Sequence, residues 1–437
     1  MNLKYKFADE NLKHKIIEDR RMFHANPELG WTEYWSTWMI SERLKKSGYE
    51  VYIGRDVCDR ISRMGIPTNE VIKQCERRAL EKGVPESIVE GMRGGYTGVI
   101  GILRGEKSGK KTAIRFDMDA LPIQEVQTDI NTSYCSQNTG VMHACGHDGH
   151  MAVGLGLAEI LSQNREYIEG EIRLIFQPAE EGCRGAKSIV NKGWLAGIDE
   201  FYSGHIGIGC RELGRIGACT RGFMASTKMD IIFHGVAAHA ANAPEEGRNA
   251  LLAAADFIVA AYDYYQQCSE NVRMNVGRIH AGSGRNIIAD KAFLEVETRG
   301  IDGDANIRLK EKLCRLAESI SEKHGVTHEV VVAGDVGTGK SDPELVKCGY
   351  DAANSLGLGD MFESDAVFNA SEDVVTMMNH VQNQGGKAAY FMFGTELTAE
   401  HHHPQFDFNE EVLPLMVEFY SKLLVKKPNK PYHSFGL

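Results

Sequence analysis

Five separate groups of side chains in this sequence can bind a metal ion or move a proton. In chain order these are Asp117 with Asp119, the 143–150 segment HACGHDGH, Glu180 with Glu181, His205, and the 401–403 run of three histidines. Imidazole, thiolate and carboxylate ligands in combination suit first-row divalent metals such as zinc or manganese. Cys145 and His147 are close enough in the sequence to bind the same ion. The residue types therefore predict a metal site with an acid–base group beside it.

The chemistry expected of such a site is hydrolysis. A water molecule bound to a metal ionises more easily, so hydroxide becomes available near neutral pH. A carboxylate next to that water can take its proton and later give it to a departing amine. In the glutamate pair we assign Glu181 to the metal and Glu180 to proton transfer. We expect Asp119 to orient a ligand histidine from behind.

Each group taken alone also has a simpler interpretation. The histidine run could be a solvated loop, and the glutamate pair could be the charge that favours a helix N-terminus. A cysteine is often only a small buried residue. The metal interpretation is favoured because all five groups are predicted to meet at one edge of a sheet.

That edge is predicted from the order of strands and helices. Strands predicted at 97–104, 111–116, 171–176 and 200–205 alternate with helices at 151–161 and 185–192. Such alternation is typical of a largely parallel sheet with helices on its faces, in which ligands gather beyond the carboxyl ends of the strands. A helical segment is predicted at 14–48, and a charged, helix-prone insertion at about 55–95.

The pattern changes after about Cys219. Strands predicted at 228–234, 272–280, 292–299 and 327–333 and helices at 249–265 and 306–324 give the order β-α-β-β-α-β of a ferredoxin-like unit. A strand at 387–394 and a helix at 413–424 then resemble the opening part again. We therefore predict a catalytic domain formed by 1–218 and 335–437, with an inserted domain at 219–334.

Composition narrows the class of protein. The 437 residues are 43% hydrophobic and 25% charged, which is ordinary for a globular chain of two or three domains. The net charge of −11 argues against a nucleic-acid or anionic-membrane partner. The N-terminal stretch lacks a signal-like apolar core, and no apolar run reaches the ~18 residues of a membrane span. The ten irregularly spaced cysteines suit a reducing compartment, so a cytoplasmic location is expected.

Five motifs resemble those of a known family. They are DMDALPIQE (117–125), MHACGHDGHMAVGLGLA (142–158), FQPAEEG (176–182), GHIG (204–207) and HHPQFDF (402–408). Together they resemble the M20 metallopeptidases, in the amidohydrolase subfamily that has a cysteine ligand. The resemblance implies an α/β, zinc-peptidase-like catalytic domain with a central mixed, largely parallel sheet. It also implies an inserted ferredoxin-like α+β domain that acts as a lid and forms a dimer.

The resemblance further implies two divalent metal ions per subunit, manganese before zinc, and a general base at Glu180. The implied ligands are Cys145, His147, Glu181, His205 and His402. His402 is chosen among the three histidines because the family's H-x-P-x-F pattern aligns it with Pro404 and Phe406. His401 and His403 are expected to be flanking polar residues.

On the lid, the resemblance implies roles for three residues. His239 would reach across the dimer and help to polarise the scissile carbonyl in the partner's site. Asn286 and Arg299 would hold the substrate carboxylate, because a guanidinium can bond both of its oxygens. The alternatives are a salt bridge within the lid for Arg299 and a turn for Asn286.

The chain departs from the family pattern near Asn286. Ala289 stands where many relatives have proline, and Arg285 replaces a residue that is neutral in many of them. Arg285 could therefore bind a second carboxylate, or it could be an ordinary surface arginine. Glu372 and Asp373 match a family motif to which we assign a structural role.

Further motifs point to one branch of the subfamily. They are SRMGIP (62–67), EGMRGGYTG (90–98), AAHAANAPEEGRNALLAAA (237–255), AGSGRN (281–286) and VETRG (296–300). They resemble the branch that cleaves p-aminobenzoyl-glutamate to p-aminobenzoate and glutamate, as a homodimer or as a heterodimer with a related B-type subunit.

Three alternatives remain open. One is a hydrolase of other N-acyl-amino acids or dipeptides on the same scaffold. Another is a non-catalytic partner subunit, whose sign would be missing ligands, although every expected position is filled. A redox metalloprotein is the third, but no nucleotide-binding glycine loop precedes a helix.

Overall fold

The computed structural model describes residues 8–425, which form a larger mixed sheet and a smaller antiparallel one. The larger sheet contains β1 (Glu50–Ile53), β2 (Val99–Arg104), β3 (Lys107–Asp117), β4 (Glu169–Gln177), β5 (Glu200–Ile206), β6 (Ile216–Phe223), β11 (Phe362–Ala370) and β12 (Lys387–Phe393). The smaller sheet contains β7 (Ala225–His234), β8 (Val272–Ala281), β9 (Lys291–Gly300) and β10 (Thr327–Val336). No helix within the described range is long and apolar enough to span a bilayer.

The strand order of the larger sheet is β1-β2-β4-β3-β5-β12-β6-β11. Its central strands β4, β3, β5 and β12 are parallel neighbours, whereas β1, β2 and β4 pair antiparallel, as do β12 and β6. Because parallel strands end at the same edge, β3, β4 and β5 deliver the loops after Asp117, Gln177 and Ile206 to one place. The predicted mixed, largely parallel sheet is confirmed.

Helices cover both faces of this sheet. One face carries α1 (Glu10–Ala25), α2 (Tyr34–Lys46), α5 (His147–Gln163), α9 (Pro343–Ser355) and α11 (Val412–Leu424), and the other carries α6 (Ala186–Lys192) and α10 (Val374–Asn383). Helix α5 lies between the sheet and the outer helices α1 and α11, so it is apolar on nearly all sides. A Cβ atom added at Gly154 would lie 2.6 Å from the ring of Phe176, so glycine permits this close approach.

The insertion between β1 and β2 is helical, as predicted. It contains α3 (Asn69–Glu81) and α4 (Glu86–Gly91). Its loop at residues 60–67 returns to the carboxyl edge of the sheet, where the Trp31 indole donates to the carbonyl of Met64 at 2.7 Å. Part of the insertion therefore borders the candidate site.

The smaller sheet has the order β10-β7-β9-β8 and belongs to what we call the inserted unit, residues 225–336. Helices α7 (Ala250–Gln267) and α8 (Gly303–His324) pack on one of its faces around a separate apolar core. This is the predicted ferredoxin-like arrangement. Its other face is free of helices and carries charged side chains, including Lys228, Asp230 and Glu297. The domain limits at 219 and 334 stay a prediction, while the chain changes sheets after Phe223 and after Val336.

Several predicted elements differ from the observed ones. The helical segment 14–48 is two helices, because Pro27 disfavours helical geometry at the preceding residue. Strands β6 and β11 and helices α9 and α10 were not predicted. The β11 strand has mostly polar or partly exposed residues and forms an edge of the sheet, so it lacks the apolar run by which the other strands were found.

Candidate metal centre

The five predicted ligands lie in two groups that have Cys145 in common. Single donor atoms of Cys145, His147 and His205 lie within 4.8 Å of one another, and so do those of Cys145, Glu181 and His402. The Cys145 sulfur is 3.5 Å from His205 Nε2, and His402 Nε2 is 3.4 Å from Glu181 Oε1. The structure thus brings together side chains from four separate segments of the sequence.

His147 owes its position to the start of α5. Gly146 precedes the helix with φ of 89°, a left-handed conformation that favours glycine. The His147 Nδ1 atom donates to the main-chain carbonyl of Asp119 at 2.8 Å. This leaves Nε2 facing the site, where it is buried without a hydrogen-bond partner among residues 8–425. The carbonyl of Asp119 therefore orients the ring, as expected, but its carboxylate makes other contacts.

The carboxylate of Asp119 holds the loop that carries the two glutamates. Its two oxygens accept hydrogen bonds from the amides of Glu180 at 2.9 Å and Glu181 at 3.0 Å. The preceding amide, that of Ala179, donates to Glu33 at 2.9 Å. Ala179 has φ of 53°, which is uncommon for a residue with a side chain. Two buried carboxylates thus fix three successive amides of a strained loop.

Asp373 holds the far end of the same loop. Its Oδ2 atom accepts from the amides of Gly185 at 3.0 Å and Ala186 at 2.8 Å. Arg115 lies beneath it and forms ion pairs with Asp373 and Glu372. Burial raises the pKa of Asp373 to about 7, although Arg115 acts in the opposite direction. These contacts agree with the structural role assigned to this pair.

Glu180 lies beside the ligands in a buried position. A carboxylate oxygen of Glu180 groups with His147 and Glu181 within 4.8 Å, and on its other side with Glu372 and Asp373. Burial raises the pKa of Glu180 well above its usual range, and the charges of Glu372 and Glu181 raise it further. Glu180 can therefore hold a proton where most glutamates cannot.

The charge balance of the site fits a bound cation. Burial raises the pKa of the Cys145 thiol well above its usual range, and the nearby carboxylates of Glu181 and Glu180 add to this. For Glu181, burial also favours the neutral form, but the rings of His402 and His147 outweigh it and lower the pKa. A thiol and two carboxylates in one buried space need positive charge before all can ionise.

The donor atoms fit a metal as well. Besides His147 Nε2, the Oε1 atom of Glu181 is buried without a hydrogen-bond partner in the described range. His205 bonds the carbonyl of Ile206 through Nδ1 at 2.9 Å, so its Nε2 faces Cys145. Ligand histidines usually have their second nitrogen bonded in this way. Sulfur, imidazole and carboxylate donors are those that zinc and manganese accept.

The three consecutive histidines have different environments. His402 has φ of 66°, and its amide donates to the carbonyl of Ala144 at 2.7 Å, which joins its loop to that of Cys145. His401 donates to the carbonyl of Ile206 at 3.0 Å, and His403 accepts from the amide of Gln405 at 3.1 Å. His402 is thus the histidine of the run that lies against Glu181, while its neighbours bond the protein.

The contacts of Glu33, Asp117 and His150 were not foreseen. His150 donates from Nδ1 to Asp117 at 2.6 Å and accepts at Nε2 from the amide of Ile206 at 3.1 Å. This pair ties α5 to the ends of β3 and β5. Glu33 precedes α2 in no recognisable motif, so the sequence contained no signal for its contact with Ala179.

The predicted residues of the inserted unit lie apart from the ligands. His239, Arg285 and Asn286 are exposed, and the amide of Ala240 donates to the carbonyl of Asn286 at 3.0 Å. Arg299 pairs with Glu297 at 2.9 Å, the alternative considered for it above. Within residues 8–425, none of the four bonds a predicted ligand. Their roles toward a substrate stay predictions.

Comparisons with known proteins agree with the geometry. The model of Peptidase family M20/M25/M40 matches residues 113–426. The chain is 40% identical to indole-3-acetyl-aspartic acid hydrolase of Enterobacter agglomerans, over 92% of this chain and 94% of that protein. It is 38% identical to the A-type subunit of p-aminobenzoyl-glutamate hydrolase from Escherichia coli (strain K12), over 96% and 97%.

Solved structures give the same result. An aminobenzoyl-glutamate utilization protein from Klebsiella pneumoniae superposes with a TM-score of 0.80 at 34% identity, covering 95% of this chain and 96% of that one. A dinuclear metal-binding peptidase of the M20 family from Bacillus subtilis superposes with a TM-score of 0.66 at 26% identity, covering 95% and 98%.

Proposed function

Since this chain belongs to peptidase family M20/M25/M40, we infer that it hydrolyses the amide bond of p-aminobenzoyl-glutamate, giving p-aminobenzoate and glutamate. The observation that carries this proposal is the pair of ligand groups that share Cys145, with the buried carboxylate of Glu180 beside them. A hydrolase of this kind needs both a place for metal ions and a nearby group that moves protons.

The residues that would hold two divalent ions are Cys145, His147, Glu181, His205 and His402. Manganese is proposed first and zinc second, because the mixed donors suit either. When bound, such ions would polarise the scissile carbonyl and make water a nucleophile near neutral pH. Asp119 and Glu33 would keep the loop of Glu181 in place for them.

Glu180 would move the proton. As water adds to the amide carbon, Glu180 takes one proton from it and passes that proton to the glutamate nitrogen as the C–N bond breaks. Its raised pKa suits this role, because the group must both accept and release a proton near neutral pH.

Residues of the inserted unit would complete the site. His239 is exposed and bonded through Nδ1 to the amides of Ala241 and Asn242, which leaves Nε2 free to donate. We propose that it reaches the site of a dimer partner, where it stabilises the developing negative charge on the carbonyl oxygen. Asn286 and Arg299 would bind the α-carboxylate. The partner would be a second copy or a related B-type subunit, which the name of the E. coli relative supports, and the location would be cytoplasmic.

A second substrate has specific support. One relative, at 40% identity, is an indole-3-acetyl-aspartic acid hydrolase. Both candidate substrates join an aromatic acyl group to an acidic amino acid. The shared chemistry is therefore the amide of an aromatic acid with aspartate or glutamate, and the acyl group distinguishes the two.

The test is a substrate panel with the manganese- and zinc-loaded protein. The panel contains p-aminobenzoyl-glutamate, indole-3-acetyl-aspartate, hippurate and small dipeptides, with product release followed by chromatography. We expect the two acidic conjugates to be hydrolysed fastest. Glu180→Ala should abolish turnover while metal content stays at the wild-type level, and Glu245→Ala, at an exposed position, serves as the control. Normal turnover in Glu180→Ala would overturn the assignment.

A further inference from the structure

A cavity of about 750 Å³ opens directly beside Glu181. It lies between the loop that carries the candidate ligands and the helix-free face of the smaller sheet. On the catalytic side its wall includes Gly65, Glu181 and Arg184. This is large enough for a drug-sized ligand, so it is the natural place for a substrate whose amide reaches Glu181.

Two main-chain carbonyls fix the Arg184 side chain in this wall. Its Nε atom donates to the carbonyl of Glu181 at 2.6 Å, and Nη1 donates to the carbonyl of Gly65 at 3.1 Å. These bonds use two of the five N–H groups of a guanidinium. The nearest carboxylate to Nη2 is that of Asp119 at 3.9 Å, which is too far for a hydrogen bond. Arg184 is thus anchored but keeps donors for a ligand.

Three glycines make room for this arginine. A Cβ atom added at Gly30 would lie 2.4 Å from Arg184 Nη2, one at Gly65 2.5 Å from its Cδ, and one at Gly182 3.3 Å from its Nε. Gly65 belongs to the helical insertion, and Gly182 to the loop of Glu181. The side chain therefore occupies a slot formed by three separate segments, and its orientation is set before any ligand arrives.

The opposite wall is mostly acidic. The smaller sheet contributes Asp230, Glu295 and Glu297 to the lining, together with one cation, Lys228. Lys228 Nζ is 3.9 Å from Glu297 and 4.0 Å from the sulfur of Cys183, which lies next to Arg184 in the chain. An anion in this cavity is repelled by the acidic part of the sheet and attracted to the side where Arg184 and Lys228 lie.

We propose that Arg184, with Lys228 across the cavity, binds the side-chain carboxylate of the acidic amino acid in the substrate. This inference rests on the proposed hydrolysis of acyl-amino acids and deepens it. A guanidinium held in one orientation matches the planar carboxylate and can bond both of its oxygens. Preference for glutamate or aspartate over neutral amino acids follows from this contact.

The position of Arg184 distinguishes it from Arg285. Arg285 was the sequence-based candidate for a second carboxylate, but it is exposed and lies on a loop of the inserted unit. Arg184 lines the cavity that contains Glu181 within the same chain. The specificity residue is therefore expected on the ligand loop itself.

The experiment compares p-aminobenzoyl-glutamate with p-aminobenzoyl-glutamine, which have the same shape but differ in one charge. The wild-type enzyme should favour the glutamate conjugate in kcat/KM. In Arg184→Gln, that preference should fall by about 10- to 100-fold, because hydrogen bonds to a charged group contribute this much, and the change should appear mainly in KM. Arg184→Lys should keep part of the preference. Arg60→Gln, in the same insertion but exposed, is the control and should keep the wild-type ratio.

An equal loss for both conjugates in Arg184→Gln would overturn the proposal, because it would show that the arginine only joins the two loops. Unchanged preference would overturn it too. If Arg184→Gln does not fold, Lys228→Gln gives the answer: the preference should fall by several fold, and an unchanged ratio contradicts the inference. Failure of the wild-type enzyme to cleave any conjugate would instead contradict the proposed hydrolase function.

Discussion

Replacing Asp119 by asparagine tests whether a buried carboxylate holds the ligand loop. Each oxygen of Asp119 accepts one amide, from Glu180 at 2.9 Å and from Glu181 at 3.0 Å. Asparagine has nearly the same shape but offers one acceptor and one donor at these positions. Its NH2 group would face one of the two amides, so one hydrogen bond is lost and a buried N–H is left without a partner.

The size of the effect follows from that single bond. A hydrogen bond to a charged group contributes about 1.5–3 kcal/mol. At about 1.4 kcal/mol per tenfold, this is about 10- to 100-fold in metal affinity if the loop must recover its position to bind. Loss of a group that supports a metal ligand typically costs the same 10- to 100-fold range. The lost bond and the lost support of the ligand therefore predict a similar decrease in affinity.

The assay is competition for manganese or zinc between the protein and a fluorescent chelator, at fixed pH and ionic strength. Asp119→Asn should bind the metal about 10- to 100-fold more weakly than the wild type. Asp129→Asn makes the same chemical change at an exposed position and should bind normally. An affinity within twofold of the wild type, in a variant that melts cooperatively, would refute the reasoning.

Three further predictions concern a ligand, the core and pH. His402→Ala should lose metal by elemental analysis, because the ring lies 3.4 Å from Glu181, whereas His403→Ala, which alters an exposed neighbour, should not. Gly154→Ala should lower the free energy of unfolding by about 1–3 kcal/mol in urea titration, because its Cβ would meet the Phe176 ring at 2.6 Å. Gly91→Ala, where an added Cβ meets nothing within 4 Å, should instead be neutral or stabilising. Burial and the charge of Arg20 favour a neutral His24, but hydrogen bonds to Asp148 and Glu125 outweigh them and raise its pKa from 6.5 to about 8. Its stabilisation, about 2 kcal/mol, is fully present below pH ~6.5 and is lost as pH rises through about 8, so the melting temperature should fall between pH 6.5 and 9 in the wild type and less in His24→Gln.

Each of these predictions can be contradicted. Equal metal content in His402→Ala and His403→Ala would remove His402 from the proposed ligands. A stable Gly154→Ala variant would mean that the Phe176 ring moves aside without cost. A pH dependence of melting that is identical in His24→Gln and in the wild type would place the titrating group elsewhere.

The convergence of the site was predictable because it depends on local patterns. Apolar strand runs end just before Asp117, Glu180 and His205, and parallel strands bring their carboxyl ends to one edge. Cys145 and His147 lie in a glycine-containing turn that opens a helix. Each of these signals spans only a few residues, so no knowledge of distant contacts was needed to place them together.

The features that the sequence did not reveal depend on long-range contacts. The acceptance of two amides by Asp119, the contact of Glu33 with Ala179, and the slot for Arg184 join segments far apart in the chain. No periodicity or motif records such pairs. The missed β11 strand follows the same rule, since an edge strand gains its order from a neighbour, β6, rather than from its own apolar residues.

The central claim is that two metal ions bind around one shared thiol. Anomalous diffraction from crystals of the manganese-loaded protein tests it most directly. We predict two peaks, one among Cys145, His147 and His205 and the other among Cys145, Glu181 and His402. A fully loaded protein whose metal peaks lie away from Cys145 would contradict the account.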